Sequence, residues 1–268
     1  MTIDAKTYEI ALAYAEKNNR DVILFNGEID GDYIDKLIRE CREKSDRRHN
    51  VLFVLITQGG DADAAYRLSR CLQELYKEFI VFVPGWCKSA GTLVVIGAHK
   101  IVMGHYGELG PLDVQLSKSD ELFEWNSGLV IDSALDALEA RAMAMFERYF
   151  MQIKARTRNR VTFKTATQIA SSMVVELLTP VYSQIDPIKI GENAREMSVA
   201  ADYGKRLNEH SNNLKFRSSL STLVESYSSH GFVIDRKEVS SIFNKVECPA
   251  DELGPVEIHR ELITDEPR

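Results

Sequence analysis

Three short runs in the first third of the chain are apolar at every position: Val22-Ile-Leu-Phe25, Val51-Leu-Phe-Val-Leu-Ile56 and Phe79-Ile-Val-Phe-Val83. A strand with one wet face alternates apolar and polar residues, so an uninterrupted run predicts a strand covered on both faces. Each run stops at a turn signal, Asn26-Gly27, Gly59-Gly60-Asp61 or Pro84-Gly85. Helical patterns fill the intervals, over about 31 to 46, from the Gly-Gly turn to about 77, and over about 89 to 98. Buried strands alternating with helices predict an α/β fold with a parallel sheet between helical layers. An amphipathic helix is expected within residues 1 to 20, and further short strands near 100 to 103 and 108 to 114.

From about residue 130 the pattern becomes helical. Ile131, Leu135, Leu138, Ala142, Met145, Tyr149 and Ile153 recur at steps of three and four and predict one long helix to about 156. More helices are expected over Thr165 to Leu178, Ile188 to Leu207 and Leu214 to Ser228, with a small one near 236 to 244. A tail rich in proline and acidic residues follows, expected to be mobile.

Composition removes several classes of function. A net charge of −7 argues against a general nucleic-acid binder, which needs a basic face for phosphates. Cys41, Cys71, Cys87 and Cys248 form no CxxC pair, and the six histidines show no ligand spacing. No disulfide framework, metal site or cofactor is therefore expected. The start of the chain lacks a basic stretch followed by an apolar run, and nowhere do about 18 apolar residues run together. The expectation is a cytoplasmic protein without a membrane segment.

In α/β sheets, sites form where strands end at their carboxyl edge. Two such turns carry unusual residues. In Thr57-Gln-Gly-Gly-Asp61 the paired glycines allow close backbone approach and aim N–H groups into a cavity. In Gly85-Trp-Cys-Lys-Ser-Ala-Gly-Thr92 a serine opens a helix, in the positive field of the helix N-terminus. Separately, a serine at a helix start is ordinarily an N-cap and Gly-Gly ordinarily a turn. Together, on consecutive strand ends, they point to Ser89 as a nucleophile with the Gly60 and Ala90 N–H groups as an oxyanion hole.

The run Ile56-Thr-Gln-Gly-Gly-Asp61, then Ser89-Ala-Gly-Thr92, Ile101-Val-Met103 and Leu109-Gly-Pro-Leu-Asp113 resembles the Clp/crotonase superfamily. Within it the chain looks most like the serine dehydrogenase proteinase branch, beside signal peptide peptidase A. The resemblance covers residues 20 to 115, more weakly the helices to about 190, and nothing beyond. It implies a ββα-superhelix core with a projecting helix and a helical C-terminal appendage, divided as residues 1–195 and 196–268. It also implies a peptidase with Ser89 as nucleophile, Gly60 and Ala90 as oxyanion donors, a peptide or protein substrate, and assembly of identical chains through the long helix.

The general base departs from the superfamily's pattern. Leu109 to Val114 holds no histidine, residues 129 to 139 hold no lysine, and Arg141 does not cycle protons. Lys118 is the nearest candidate in sequence, followed by Lys154 and Lys164, with His105 and His230 as remoter ones. A lysine serves as base only where its pKa falls well below about 10.4. Asp113 and Gln115 are expected to hold the loop by hydrogen bonds. Two other readings stay open: a crotonase-type acyl-CoA enzyme using the same oxyanion hole, and a catalytically silent scaffold.

Overall fold

The structure is a computed structural model that describes residues 5–112, 115–117, 125–227 and 229–249. In chain order its elements are α1 (Ala5–Lys17), β1 (Arg20–Asn26), α2 (Gly31–Glu43), β2 (Asn50–Ile56), α3 (Ala62–Leu75) and β3 (Glu78–Val83). Then come β4 (Trp86–Cys87), α4 (Ala90–Gly97), β5 (Lys100–Met103), β6 (Glu108–Leu109), β7 (Gln115–Ser117) and β8 (Trp125–Ser127). Next are α5 (Gly128–Arg156), α6 (Phe163–Tyr182), α7 (Pro187–Ser211), α8 (Ser219–Glu225), β9 (Ile234–Asp235), α9 (Arg236–Ile242) and β10 (Val246–Glu247).

The chain forms two compact units, Met1–Val114 with Met197–Arg268, and Gln115–Glu196. The first is built on a five-stranded parallel sheet in the order β1-β2-β3-β5-β10. This is the expected α/β class. The apolar runs divide by parity, as side chains on a pleated strand must. Val51, Phe53, Leu55, Phe79, Val81, Val83, Ile101 and Met103 face the larger core with α2, α3 and α4. Leu52, Val54, Ile80, Phe82 and Val102 face the other side, against Ile10 and Tyr14 of α1. Each fully buried side chain of this size contributes roughly 1.5–3 kcal/mol over leaving it in water.

Two sheet strands are followed by a short second strand. After β3, Pro84-Gly85 turns the chain into β4; after β5, residues 104 to 107 turn it into β6, parallel to β4. β3, β4 and α4 thus form one ββα unit, and β9 joins the small sheet antiparallel to β6. Helices α2 and α3 open on side-chain caps: Asp30 accepts from the Asp32 and Tyr33 N–H groups, and Asp61 from those of Asp63 and Ala64.

The described residues after 196 are not an appendage and not wholly helical. β10 pairs with β5 inside the main sheet, and Ala200, Leu207, Leu223, Val224, Ile234 and Phe243 belong to its core. The helix expected over 214 to 228 is only α8, for a side-chain reason. The Asn208 carboxamide oxygen accepts from the Asn213 and Leu214 N–H groups, while Asn213 bonds to Ala98 O and accepts the Asn244 N–H. Those bonds hold residues 212 to 218 out of a helix. The expected strand over 108 to 114 is two residues long, with 113 and 114 outside the described residues.

The second unit holds the β7–β8 hairpin, α5, α6 and the first part of α7. Ala166, Ala170 and Val174 of α6 are buried, at helical spacing. Phe146 stacks on Phe150 at 6.2 Å, and Phe150 meets Phe163 edge-on at 5.0 Å, so these aromatics pack within the α5–α6 hairpin. A second α6 stripe, Ile169, Met173, Leu177 and Val181, is 40–53% exposed. Among the described residues no helix is long and apolar enough to cross a membrane, and no group of three His, Cys, Asp or Glu side chains could hold a metal.

Candidate active site

The parallel register carries the ends of β1, β2 and β3 to one edge of the sheet, and the turn after each leans on its neighbour. The Ile29 N–H donates to Gly59 O at 2.8 Å, and the Asp61 N–H donates back to Ile29 O at 2.8 Å. One strand over, the Thr57 N–H donates to Trp86 O at 3.1 Å and the Lys88 N–H to Thr57 O at 2.9 Å. These bonds stitch the Gly59-Gly60 turn to the segment that opens α4.

Within that turn the two glycines differ. The Gly59 N–H is held by Thr57 Oγ1 at 3.0 Å. The Gly60 and Ala90 N–H groups donate to no acceptor among the described residues. Both glycines have left-handed backbones, φ +116° at Gly59 and +133° at Gly60. A β-carbon on Gly59 would lie 2.6 Å from Ser89 Cβ and 3.2 Å from Ser89 Oγ. The glycine in contact with Ser89 is therefore Gly59. Covalent geometry then keeps the Gly60 nitrogen within about 8 Å of Ser89 Oγ.

Ser89 is the residue before α4, yet its side chain makes no capping hydrogen bond. Its backbone sits at φ 49°, ψ −120°, a conformation a non-glycine residue adopts only at a penalty of about 1–3 kcal/mol. A sharp, strained strand-to-helix turn is how α/β enzymes present an exposed nucleophile. The bonds that hold this one are on all sides of it. The Gly91 N–H donates to Lys88 O and the Thr92 N–H to Ser89 O, each at 2.8 Å. Thr92 Oγ1 donates to Gly110 O at 2.7 Å, tying the start of α4 to the segment after β6. Ser89 itself is half-buried.

Two neighbours of Ser89 bear on its chemistry. Burial pushes the Cys87 thiol well above its ordinary range, outweighing the opposing effect of Lys88, so it stays protonated and inert. Lys88 is buried, and its Nζ lies 3.0 Å from Glu108 Oε1 and 3.2 Å from both Leu109 O and Phe232 O. Sequence reasoning passed over Lys88. The available signal was a charged residue between two small ones in a turn joined to a buried strand.

Of the expected bases, Lys118 lies outside the described residues, as does Asp113. Lys154 donates to Val161 O at 2.9 Å at the end of α5, and Lys164 is exposed on α6; both belong to the second unit, as does Gln115. His105 is exposed and packs edge-on against Tyr106 at 5.0 Å. His230 lies on the loop before β9. Among the described residues, no titratable side chain hydrogen-bonds to Ser89 Oγ.

No known family profile matches the chain. A 65-residue stretch is 37% identical to an uncharacterized protein of Methanocaldococcus jannaschii, covering 24% of this chain and 23% of that one. Among solved structures, the chain is similar to a mutant of a membrane-bound stomatin-specific protease in complex with a substrate peptide. The identity is 25%, over 38% of this chain and 49% of that one, with a TM-score of 0.32. A membrane protease specific for a stomatin homolog, from Pyrococcus horikoshii, gives 28% identity over 33% of this chain and 47% of that one, with a TM-score of 0.29. The ClpP protease catalytic domain from Plasmodium falciparum gives 14% identity over 38% of this chain and 63% of that one, also at 0.29. The chain thus spans about half the length of the first two structures and under a quarter of the curated relative. These likenesses are partial, and the functional reading rests on the geometry around Ser89.

Proposed function

We propose that the chain is a serine hydrolase acting on peptide bonds, with Ser89 as the nucleophile and the Gly60 and Ala90 N–H groups as the oxyanion hole. The observation that carries this reading is the Ser89 backbone. It is strained at a strand-to-helix turn, and the hydroxyl is spared from capping and set against Gly59. A serine needed only to cap a helix would adopt an extended backbone and bond its hydroxyl to the second or third helical N–H.

In the proposed reaction Ser89 Oγ attacks the scissile carbonyl while a base takes its proton. The tetrahedral oxyanion receives the two N–H donors, and the collapse breaks the C–N bond as the protonated base returns its proton to the leaving amine. Water then attacks the acyl-enzyme by the same route in reverse and frees Ser89. Lys118 is the base proposed from the sequence. The field of the α4 N-terminus favours the developing negative charge. Self-association goes with this proposal, through the uncovered α6 stripe rather than the α5 aromatics, which the hairpin itself occupies.

Labelling with a fluorophosphonate probe tests the reading directly. The parent should acquire one adduct at Ser89, located by peptide mass spectrometry, and Ser89→Ala should acquire none. A parent that stays unlabelled would favour the scaffold reading, for which the bare Ser89 Oγ among the described residues is the supporting observation.

A further inference from the structure

The residue next to the proposed nucleophile carries an amine that the reaction above does not use. Lys88 is 7% exposed, and an ammonium has three N–H donors. Its three acceptors are the Glu108 carboxylate at 3.0 Å, Leu109 O at 3.2 Å and Phe232 O at 3.2 Å. Every donor is taken, so none is left to turn toward Ser89. The stem is fixed as well: a β-carbon at Gly110 would lie 2.7 Å from Lys88 Cδ and 3.2 Å from its Cα and Cβ.

These acceptors come from two places. Glu108 and Leu109 are β6, whereas Phe232 stands 144 residues along the chain from Lys88. The Phe232 loop is itself anchored at both ends. β9 pairs with β6 through Glu108↔Asp235 and Leu109↔Ile234. The Phe232 ring packs at 4.9 Å on Tyr227, whose hydroxyl donates to Glu238 Oε1 at 2.9 Å. The Ser89 backbone needs such anchoring, because a strained conformation persists only where its surroundings over-determine it. The backbone bonds to Thr57 fix the turn from the β2 side, and the Lys88 side chain fixes it from the β6 side.

We propose that Lys88 is a positioning residue. Clamped by Glu108, Leu109 O and Phe232 O, it holds the Ser89 backbone in its left-handed conformation and makes the loop over 229–235 a structural part of the active site. The proposal rests on the reading of Ser89 as the nucleophile. It is distinct from a base role for Lys88, since Nζ is held by Glu108, Leu109 O and Phe232 O and makes no hydrogen bond to Ser89 Oγ.

The test replaces both members of the ion pair, Lys88→Met with Glu108→Leu. Removing one would strand a buried charge, whereas exchanging both for apolar groups of similar volume is often neutral for stability. Two quantities are read on the full-length protein: the rate of fluorophosphonate labelling against pH, and amide hydrogen exchange. The double variant should keep the parent's urea midpoint, label at least about ten-fold slower with an unmoved pH midpoint, and lose amide protection over 88–92 and 229–235 together. A displacement of about 1 Å is enough for a loss of that order. A folded double variant that labels and exchanges like the parent overturns the proposal. So does a shift of the pH midpoint, which would make Lys88 the base. If the double variant unfolds, Glu108→Gln, which removes the charge that anchors Nζ while keeping the side chain's size, is read by exchange: faster exchange over 88–92 supports the clamp, and parental exchange overturns it. If the parent itself fails to label, the nucleophile reading fails, while the exchange measurement still decides the clamp.

Discussion

Gly59→Ala is the perturbation that most directly probes the contact on which the site depends. Gly59 has φ +116°, a backbone region that penalises any other residue by about 1–3 kcal/mol. The new β-carbon would lie 2.6 Å from Ser89 Cβ, whereas carbons in contact sit about 3.5–4.0 Å apart. One of the two residues must yield by about 1 Å, and overpacking of that kind adds about 1–3 kcal/mol. The sum is roughly 2–6 kcal/mol of lost stability, measured by urea unfolding. Because the clash separates Gly59 from Ser89 whichever of them moves, fluorophosphonate labelling should fall by about 10²-fold in whatever remains folded. Gly85→Ala is the matched control. Its β-carbon would meet no atom within 4 Å and its backbone is not left-handed, so both readouts should stay near the parent. A Gly59→Ala protein that is destabilised yet labels at the parent's rate would refute the argument, since Ser89 would then not depend on the contact. One within about 0.5 kcal/mol of the parent would refute the strain as well.

Asp61→Ala removes the acceptor for the Asp63 and Ala64 N–H groups, at 2.7 and 3.2 Å, and should lower stability by about 1 kcal/mol with an unchanged urea slope. His99 Nδ1 accepts the Phe79 N–H at 3.1 Å as a neutral imidazole, and burial, reinforced by His210 and Lys245, holds its pKa below the ordinary 6.5. Between that lowered value and 6.5 the unfolded chain binds more protons than the folded one. Urea midpoints should therefore fall as pH drops through this window and level off below it, and His99→Asn should flatten the dependence. In sedimentation the parent should run heavier than the 30.3 kDa chain, and Met173→Glu with Leu177→Glu should run at that mass while keeping the parent's circular dichroism. A parent that sediments as a single chain at tens of micromolar would end the self-association proposal.

The first three sheet strands were legible because each carries an unbroken apolar run, and a run such as Val51 to Ile56 leaves few alternatives to a strand covered on both faces. The C-terminal pairing was not. β10 is two residues long, and what makes it a strand is the partner it meets, the Ile101 N–H donating to Lys245 O at 2.9 Å. No local pattern encodes a ladder whose other half lies some 145 residues earlier. The overlong helix expected from Leu214 fails for a related reason. Its apolar spacing is genuine, but the Asn208 and Asn213 side chains supply the backbone with other partners, and such competition depends on tertiary placement. Helix α6 errs the other way, running to Tyr182 through Pro180. Its last turn closes on the Ser183 N–H donating to Thr179 O, a bond in which the proline nitrogen takes no part.

At the site, spacing located two turns but not the atoms that meet. Gly-Gly says that two residues at this turn need freedom of backbone. It does not say that Thr57 Oγ1 consumes the first N–H, nor that a β-carbon on the second would collide with Ile29 O. Those contacts divide the work: Gly59 is a glycine because Ser89 lies against it, and Gly60 because the β1 turn does, and the Gly60 N–H has no acceptor among the described residues. The same division explains why Lys88 was invisible. In sequence it is one more charged residue in a polar turn. Only the folding of β6 and the 229–235 loop onto it makes it a buried amine with three acceptors. Strain at Ser89 and burial at Lys88 are therefore two sides of one proposal: a turn held in an unfavourable conformation needs a tether, and Lys88 supplies it by reaching both the nearby β6 and a loop 144 residues away.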